Sequence, residues 1–286
     1  MANDPGYFAW YELMTTDVAA AADFYRDVVG WGTQAASTAQ LPYVLFTTGE
    51  SRAAGLIELP EEGRKLGATP RWTGYVGVGN VNVAADRIKR LGGAVYVPPT
   101  DTNIGRISVV ADPHTATFGI IDRLQVTPQL PTDSGKPGRI GWHELFAADL
   151  DKEVAFYCAL FGWQRAQTEN HLADAYVSLS AGGQVIGGAF TKPPKGSPPF
   201  WLFYINVEDM DAAVERVRAG GGEALPNDVE ISGGFWVAHC VDPQGAAFAL
   251  QGKKGHGPKV GWSTEWQGFS SRGQLVTPKP KRESGN

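Results

Sequence analysis

Cysteine is nearly absent from this chain, with two among 286 residues. Cys158 and Cys240 occupy unrelated slots of the pattern described below, so two free thiols are expected rather than a disulfide. An excess of basic charge is missing as well: 25 Lys and Arg stand against 30 Asp and Glu, a net −5. That balance gives no electrostatic reason to expect nucleic acid or an anionic membrane as partner. No apolar run approaches the length that spans a bilayer. Met1 to Gly6 shows no basic segment followed by an apolar stretch, so no secretory signal is visible and a cytoplasmic protein is expected. There is no G-x-S-x-G elbow and no phosphate loop. Gly77-Val78-Gly79 lacks the third glycine of a dinucleotide fingerprint.

What is present is a repeat. Trp10-Tyr11-Glu12-Leu13 is followed by Asp17, Phe24-Tyr25 and Gly30-Trp31, and Trp142-His143-Glu144-Leu145 by Asp149, Phe156-Tyr157 and Gly162-Trp163. Each residue has its twin 132 positions on. Asp112-Pro113 with Phe118 recurs as Asp242-Pro243 with Phe248. A period this long marks two copies of a domain rather than a solenoid unit, and a hydrophobic content of 43% supplies a core for each.

Each copy divides again. Tyr7 to Thr15 predicts a strand. Asp17 predicts an N-cap for a helix carrying Val18, Ala21, Ala22, Tyr25 and Val28 on one face, stopped at Gly30. Tyr43 to Thr47 and Ala54 to Leu59 read as strands. Residues 73 to 125 repeat the plan, with Gly74 to Val78, a helix marked by Val81, Ala84, Ala85, Ile88 and Leu91, and strands at Ala94 to Val97, Arg106 to Ala111 and Ala116 to Ile121. Two further modules cover roughly 139 to 190 and 200 to 252. The Pro- and Gly-rich junctions are Pro60 to Arg71, Val126 to Gly138 and Thr191 to Pro199. The expected division is a first domain over 1–126, a linker over 127–138, a second domain over 139–252 and an extension over 253–286. Trp262, Trp266 and Phe269 should hold part of the extension on the folded body, with a mobile end.

Four strand–helix–three-strand modules carrying Asp17…Phe24-Tyr25…Gly30-Trp31, Asp149…Phe156-Tyr157…Gly162-Trp163, Asp112-Pro113 and Asp242-Pro243-Gln244-Gly245 resemble the vicinal oxygen chelate superfamily, which includes glyoxalase I, bleomycin-resistance proteins and extradiol dioxygenases. The resemblance covers about residues 7 to 252. It implies an α+β fold in which each pair of modules curls a mixed sheet into a cup, with helices outside. It also implies, in metal-dependent members, a divalent ion held by first-strand and last-strand ligands. Those slots here hold Trp10 and Trp142, Thr73 and Leu202, and Gly119 and Ala249. Glu58 is a weak candidate for the remaining carboxylate, and its twin is Thr191. Indole, methyl and hydrogen cannot coordinate, and a catalytic ion needs about three His, Asp, Glu or Cys ligands. No cofactor is therefore expected, with a divalent ion left open through Glu58 and a neighbour.

Side chains two apart on a strand share a face. Trp10 with Glu12 and Trp142 with Glu144 thus place an indole beside a carboxylate in each cup, and a carboxyl among aromatics should titrate high. Glu12 and Glu144 are the acid–base candidates. Trp10, Glu12, Tyr43, Tyr75, Trp142, Glu144, Tyr176 and Tyr204 are the candidate ligand contacts, and Trp72 and Trp201 could also line the cups. Against this stands plain packing, with each Glu paired to an arginine such as Arg106 or Arg165. His143 faces away from Glu144, and His239, twin of Val109, reads as a satisfied, partly buried histidine. His114, His171 and His256 share no ligand spacing. Three functions remain: a metal-free binder of a small aromatic or apolar molecule, as the resemblance to bleomycin-resistance proteins implies; a glyoxalase-like lyase or a dioxygenase- or hydroxylase-like enzyme; and a structural or interaction protein with collapsed cups. The first is the reading adopted. Whether the domains pair with each other or with a second chain is left open.

Overall fold

A computed structural model describes residues 6–37, 42–65, 67–126, 134–166, 176–193, 196–225, 229–231 and 234–254. The extension beyond Lys254, with Trp262, Trp266 and Phe269, lies outside the described residues.

The first copy runs β1 (Phe8–Thr15), α1 (Val18–Val29), β2 (Gly32–Ala35), β3 (Val44–Thr48), β4 (Ser51–Glu58), α2 (Glu61–Lys65), β5 (Arg71–Gly77), α3 (Val81–Arg90), β6 (Ala94–Thr102), β7 (Gly105–Ala111) and β8 (Thr117–Asp122). Its strands form one mixed sheet in the order β2-β3-β4-β1-β5-β8-β7-β6. β1 pairs antiparallel to β5, and β4 and β8 flank them in parallel to β1 and β5 respectively. The second copy runs β9 (Ile140–Ala147), α4 (Leu150–Phe161), β10 (Gln164–Ala166), β11 (Tyr176–Ala181), β12 (Gln184–Thr191), β13 (Phe200–Val207), α5 (Met210–Ala219), β14 (Glu223–Ala224), β15 (Val229–Ile231), β16 (Phe235–Val241) and β17 (Ala247–Lys253). Its sheet repeats the order, β10-β11-β12-β9-β13-β17-β16-β14, with β15 added beside β16. The fold is α+β with two tandem cups, as the sequence predicts. The short helix α2 inside the Pro60 to Arg71 junction was not predicted, and the exposed strand β2, which the three-strand module plan calls for, was not located, because neither carries an apolar face.

Local chemistry explains the helix ends. Asp17 and Asp149 accept hydrogen bonds from the backbone N–H of Ala20 and Lys152, and Gly30 and Gly162 close α1 and α4 in the left-handed region.

The two copies pack on one another through the backs of their sheets and their helices. The contacts come in reciprocal pairs, which relate the copies by an approximate twofold. Trp31 Nε1 donates to the Gly138 carbonyl and Trp163 Nε1 to that of Gly6, both at 2.8 Å. Tyr25 Oη donates to Asp242 and Tyr157 Oη to Asp112, at 3.2 and 3.1 Å. Trp72 and Trp201 in turn donate to those tyrosine oxygens. At the axis, Tyr11 Oη meets its own twin, His143, at 2.6 Å from Nε2. His143 Nδ1 lies against the Ile186 carbonyl, so Nδ1 carries the proton and Nε2 accepts. Burial pushes His143 down to about 4, which keeps it neutral. The domains therefore pair within the chain, and Trp72 and Trp201 serve that interface rather than the cups.

One carboxyl at this interface breaks the symmetry. Glu153 is fully buried where the first copy has Ala21. Its Oε1 accepts from the backbone N–H of Ala148 and Asp149, and His114 of the first copy stands 3.4 Å away. Burial, reinforced by the Asp112 carboxylate, pushes Glu153 up to about 7. The folded state then keeps a proton that an unfolded glutamate has lost, so stability falls as pH rises from the ordinary carboxylate range through about 7. Glu153→Gln cannot ionise. It should make that fall shallower and raise the stability at pH 8 by about 1 kcal/mol or more, about 2–4 °C in Tm. Thermal melts between pH 5 and 8 check this, and an unchanged slope would refute it.

Candidate functional site

Residues directly opposite on paired strands share a face. Trp10 lies opposite Tyr75, and Glu12 opposite Gly55 and Thr73. In the second copy Trp142 lies opposite Tyr204, and Glu144 opposite Gly188 and Leu202. The eight candidate side chains thus gather as two sets of four, one in each cup.

In the first cup Trp10 Nε1 donates to Tyr43 Oη at 3.0 Å, and Tyr43 Oη donates to Glu12 Oε1 at 2.8 Å. Tyr75 Oη donates to Glu12 Oε2 at 2.9 Å. Burial pushes the Glu12 carboxyl up, and the two hydroxyls partly offset this. In the second cup Trp142 Nε1 donates to Tyr176 Oη at 3.2 Å, and Tyr204 Oη donates to Glu144 Oε2. Burial pushes Glu144 up as well, offset by the Tyr204 and Tyr176 hydroxyls. Neither carboxyl has the arginine partner considered from sequence. Arg106 pairs with Asp101 and Arg165 with Asp151.

The cups differ in closure. Trp10, Glu12, Tyr43 and Tyr75 are each at most 5% exposed, and Leu45, Ile104, Ile121 and Val126 pack over them. Trp142, Glu144 and Tyr176 are only half-buried. Where the first cup has Met14, Ile57 and Arg71, the second has Phe146, Phe190 and Phe200. The Phe146 ring stacks on Phe200 and meets Phe190 edge-on, both at 4.4 Å. His239 also enters this cup, its Nε2 2.9 Å from Tyr204 Oη. Reading His239 as a satisfied, partly buried histidine holds, but its partner makes it part of the site. The twin comparison carried a signal for these residues: His239 replaces Val109, and three aromatics replace non-aromatic residues.

The four ligand slots that the resemblance implies are not filled by a donor set for a divalent ion in the described parts of the cups. Among the described residues no three His, Cys, Asp or Glu side chains are grouped to hold one. At Gly119 a side chain would overlap the Tyr75 ring, so the sheet itself leaves no room for a ligand there. Glu58 is a correction to the sequence reading. It pairs with Thr15, on the face opposite Glu12, and its exposed carboxylate lies 3.7 Å from Arg64. A ligand set built on Glu58 would face away from the cup.

Comparison with known proteins agrees with this architecture. The sequence pattern of the Glyoxalase/Bleomycin resistance protein/Dioxygenase superfamily matches residues 7–120 and again residues 139–250. The chain belongs to that superfamily. Among curated relatives, "Putative glyoxylase CFP32" of Mycobacterium bovis is 32% identical over 250 residues, covering 84% of this chain and 92% of the relative. "Anthracycline biosynthesis protein DnrV" of Streptomyces peucetius is 30% identical over 273 residues, covering 86% and 93%. Among solved structures, the Mn(II)-bound glyoxalase from Novosphingobium aromaticivorans superposes with a TM-score of 0.60 at 14% identity, covering 87% of this chain and 83% of that one. The 2,3-dioxygenase LapB from Pseudomonas sp. KL28 gives 0.58 at 12%, covering 92% and 95%. At those identities the superfamily structures show a shared fold and leave the chemistry to the residues in the cups. No helix among the described residues is long and apolar enough to cross a membrane.

Proposed function

We propose that this superfamily member binds a small, flat aromatic molecule in its second cup, without the usual divalent ion. The observation that carries the reading is the set of half-buried Trp142, Glu144 and Tyr176 beside the Phe146, Phe190 and Phe200 rings, in the place where metal-dependent relatives would hold an ion. Aromatic walls supply most of the contact energy for such a ligand, and a few convergent polar groups fix its orientation. The name of the Streptomyces peucetius relative, an anthracycline biosynthesis protein, agrees with a polycyclic guest. The closed first cup reads as a structural copy.

Isothermal titration of chelator-treated protein with a hydroxyanthraquinone checks this. Binding is expected without added metal, and manganese, zinc or nickel should leave the affinity unchanged. Trp142→Ala should weaken binding about tenfold or more, about 1.4 kcal/mol. Binding that appears only with an added ion, or an affinity untouched by Trp142→Ala, would overturn the reading.

A further inference from the structure

The second cup carries a polar pair that the first lacks. Asn206 on β13 lies opposite Gln251 on β17, and the same register in the first copy holds Gly77 and Ile121. Ala249 packs with the cup residues, and Gln251, two places further along β17, shares that face. Ile121 is 1% exposed and packs over Trp10 in the first cup, whereas Gln251 is half-buried. The place of an apolar cover in one cup is thus taken by an amide in the other.

Hydrogen bonding fixes which way that amide points. The Ser134 and Lys136 carbonyls can only accept, and Asn206 Nδ2 donates to both, at 3.1 Å to Lys136. Asn206 Oδ1 can only accept, so Gln251 must offer it Nε2, at 2.5 Å. Both amide nitrogens lie over Gly141, where a side chain would overlap them, and the first copy has Ala9 at that position. On its other side Gln251 is paired with Val237, which has no polar side-chain group. Gln251 Oε1 is therefore held as an acceptor with no partner among the described residues. Tethering the chain at Ser134 and Lys136 uses Asn206 and the nitrogen of Gln251 and makes no use of this oxygen.

We propose that Gln251 sets the ligand class of the second cup, a flat aromatic whose edge carries a hydrogen-bond donor such as a ring hydroxyl, which Gln251 Oε1 accepts. This rests on the binding reading above. Entering the cup strips both the ligand hydroxyl and Oε1 of water, and the bond between them replaces what each loses. A ligand edge that carries an ether oxygen or a bare C–H desolvates Oε1 and returns nothing to it. The acceptor is already oriented by Asn206, so little side-chain freedom is lost when it is engaged. The first cup, with Ile121 in that place, makes no such distinction.

The test titrates the full chain, followed by tryptophan fluorescence, with 2-hydroxyanthraquinone, 2-methoxyanthraquinone and unsubstituted anthraquinone. Mildly acidic buffer keeps the proton on the hydroxyl. Wild type should bind the hydroxyl compound about tenfold more tightly than either of the others, the size of one hydrogen bond. Gln251→Met keeps the length of the side chain and loses the oxygen, and the three affinities should then fall within about twofold of one another. Gln251→Glu keeps an acceptor oxygen and should keep the preference. A wild type that binds all three alike, a preference that survives in Gln251→Met, or one that is lost in Gln251→Glu overturns the assignment and leaves aromatic binding standing. Failure of all three compounds to bind wild type overturns the binding reading and this inference together.

Discussion

Gly119→Glu, which places a carboxylate at a last-strand slot where the family resemblance implies a metal ligand, is expected to destabilise the first domain severely and to create no metal site. Gly119 lies opposite Tyr75 in the β5–β8 register, and the tyrosine ring covers it so closely that even a Cβ would overlap ring carbons. Those rings cannot retreat. Tyr75 is 1% exposed and its hydroxyl is committed to Glu12. Overpacking of this kind costs about 1–3 kcal/mol or more, and displacing Tyr75 would also leave the buried Glu12 carboxylate short of a donor, about 1–3 kcal/mol further. Gly119→Ala alone should show most of the loss in denaturant melts. Adding Tyr75→Ala to Gly119→Ala should recover part of it, because the two substitutions share one space and are coupled. Strict additivity, or tight binding of manganese or zinc by the Gly119→Glu protein, would refute this account.

Phe8→Ala is expected to cost about 3–5 kcal/mol, the range for losing a buried aromatic ring, and to weaken the joint between the copies. Phe8 belongs to β1, yet its ring packs on residues of the second copy. It stacks on His143 at 4.2 Å and meets Trp201, Trp163 and Phe203 at 5.4, 5.8 and 5.8 Å. Its removal therefore opens a cavity between domains rather than within one. Calorimetry should show a single transition for the wild type, which broadens or splits in the mutant as the copies unfold less cooperatively. A mutant that loses stability while keeping one sharp transition would show that each copy feels the cavity equally.

These two substitutions explain why the fold was easier to read than the site. The repeated motif that reveals the family, Phe-Tyr, Gly-Trp and Asp-Pro, is the machinery of folding and docking. Asp112 Oδ1 accepts from the backbone N–H of His114 and Ala116, and its other oxygen receives Tyr157. Trp31 and Trp163 hold carbonyls across the interface. Such residues have fixed spacing because backbone geometry demands it, so they stand out in a single sequence. The cup residues are fixed by pairing between strands distant in the chain. The period-2 rule placed Trp10 with Glu12 and Trp142 with Glu144. It could not tell that Tyr43 and Tyr75 would converge on Glu12, nor that His239 would reach Tyr204. Glu58 misled for the same reason: one position along a strand reverses the face.

The Tyr11–His143 contact has a consequence for how such a protein can arise. In a symmetric dimer of single copies, a residue on the axis must face itself. Two second copies would set imidazole Nε2 against imidazole Nε2, both acceptors because each Nδ1 proton is committed to a carbonyl. That assembly is repulsive at the very point where this chain is joined. Fusion into one polypeptide removes the requirement of self-matching, lets the axis hold unlike partners, and frees one half to bury its Trp10 and Glu12 while the other leaves Trp142 and Glu144 half-buried.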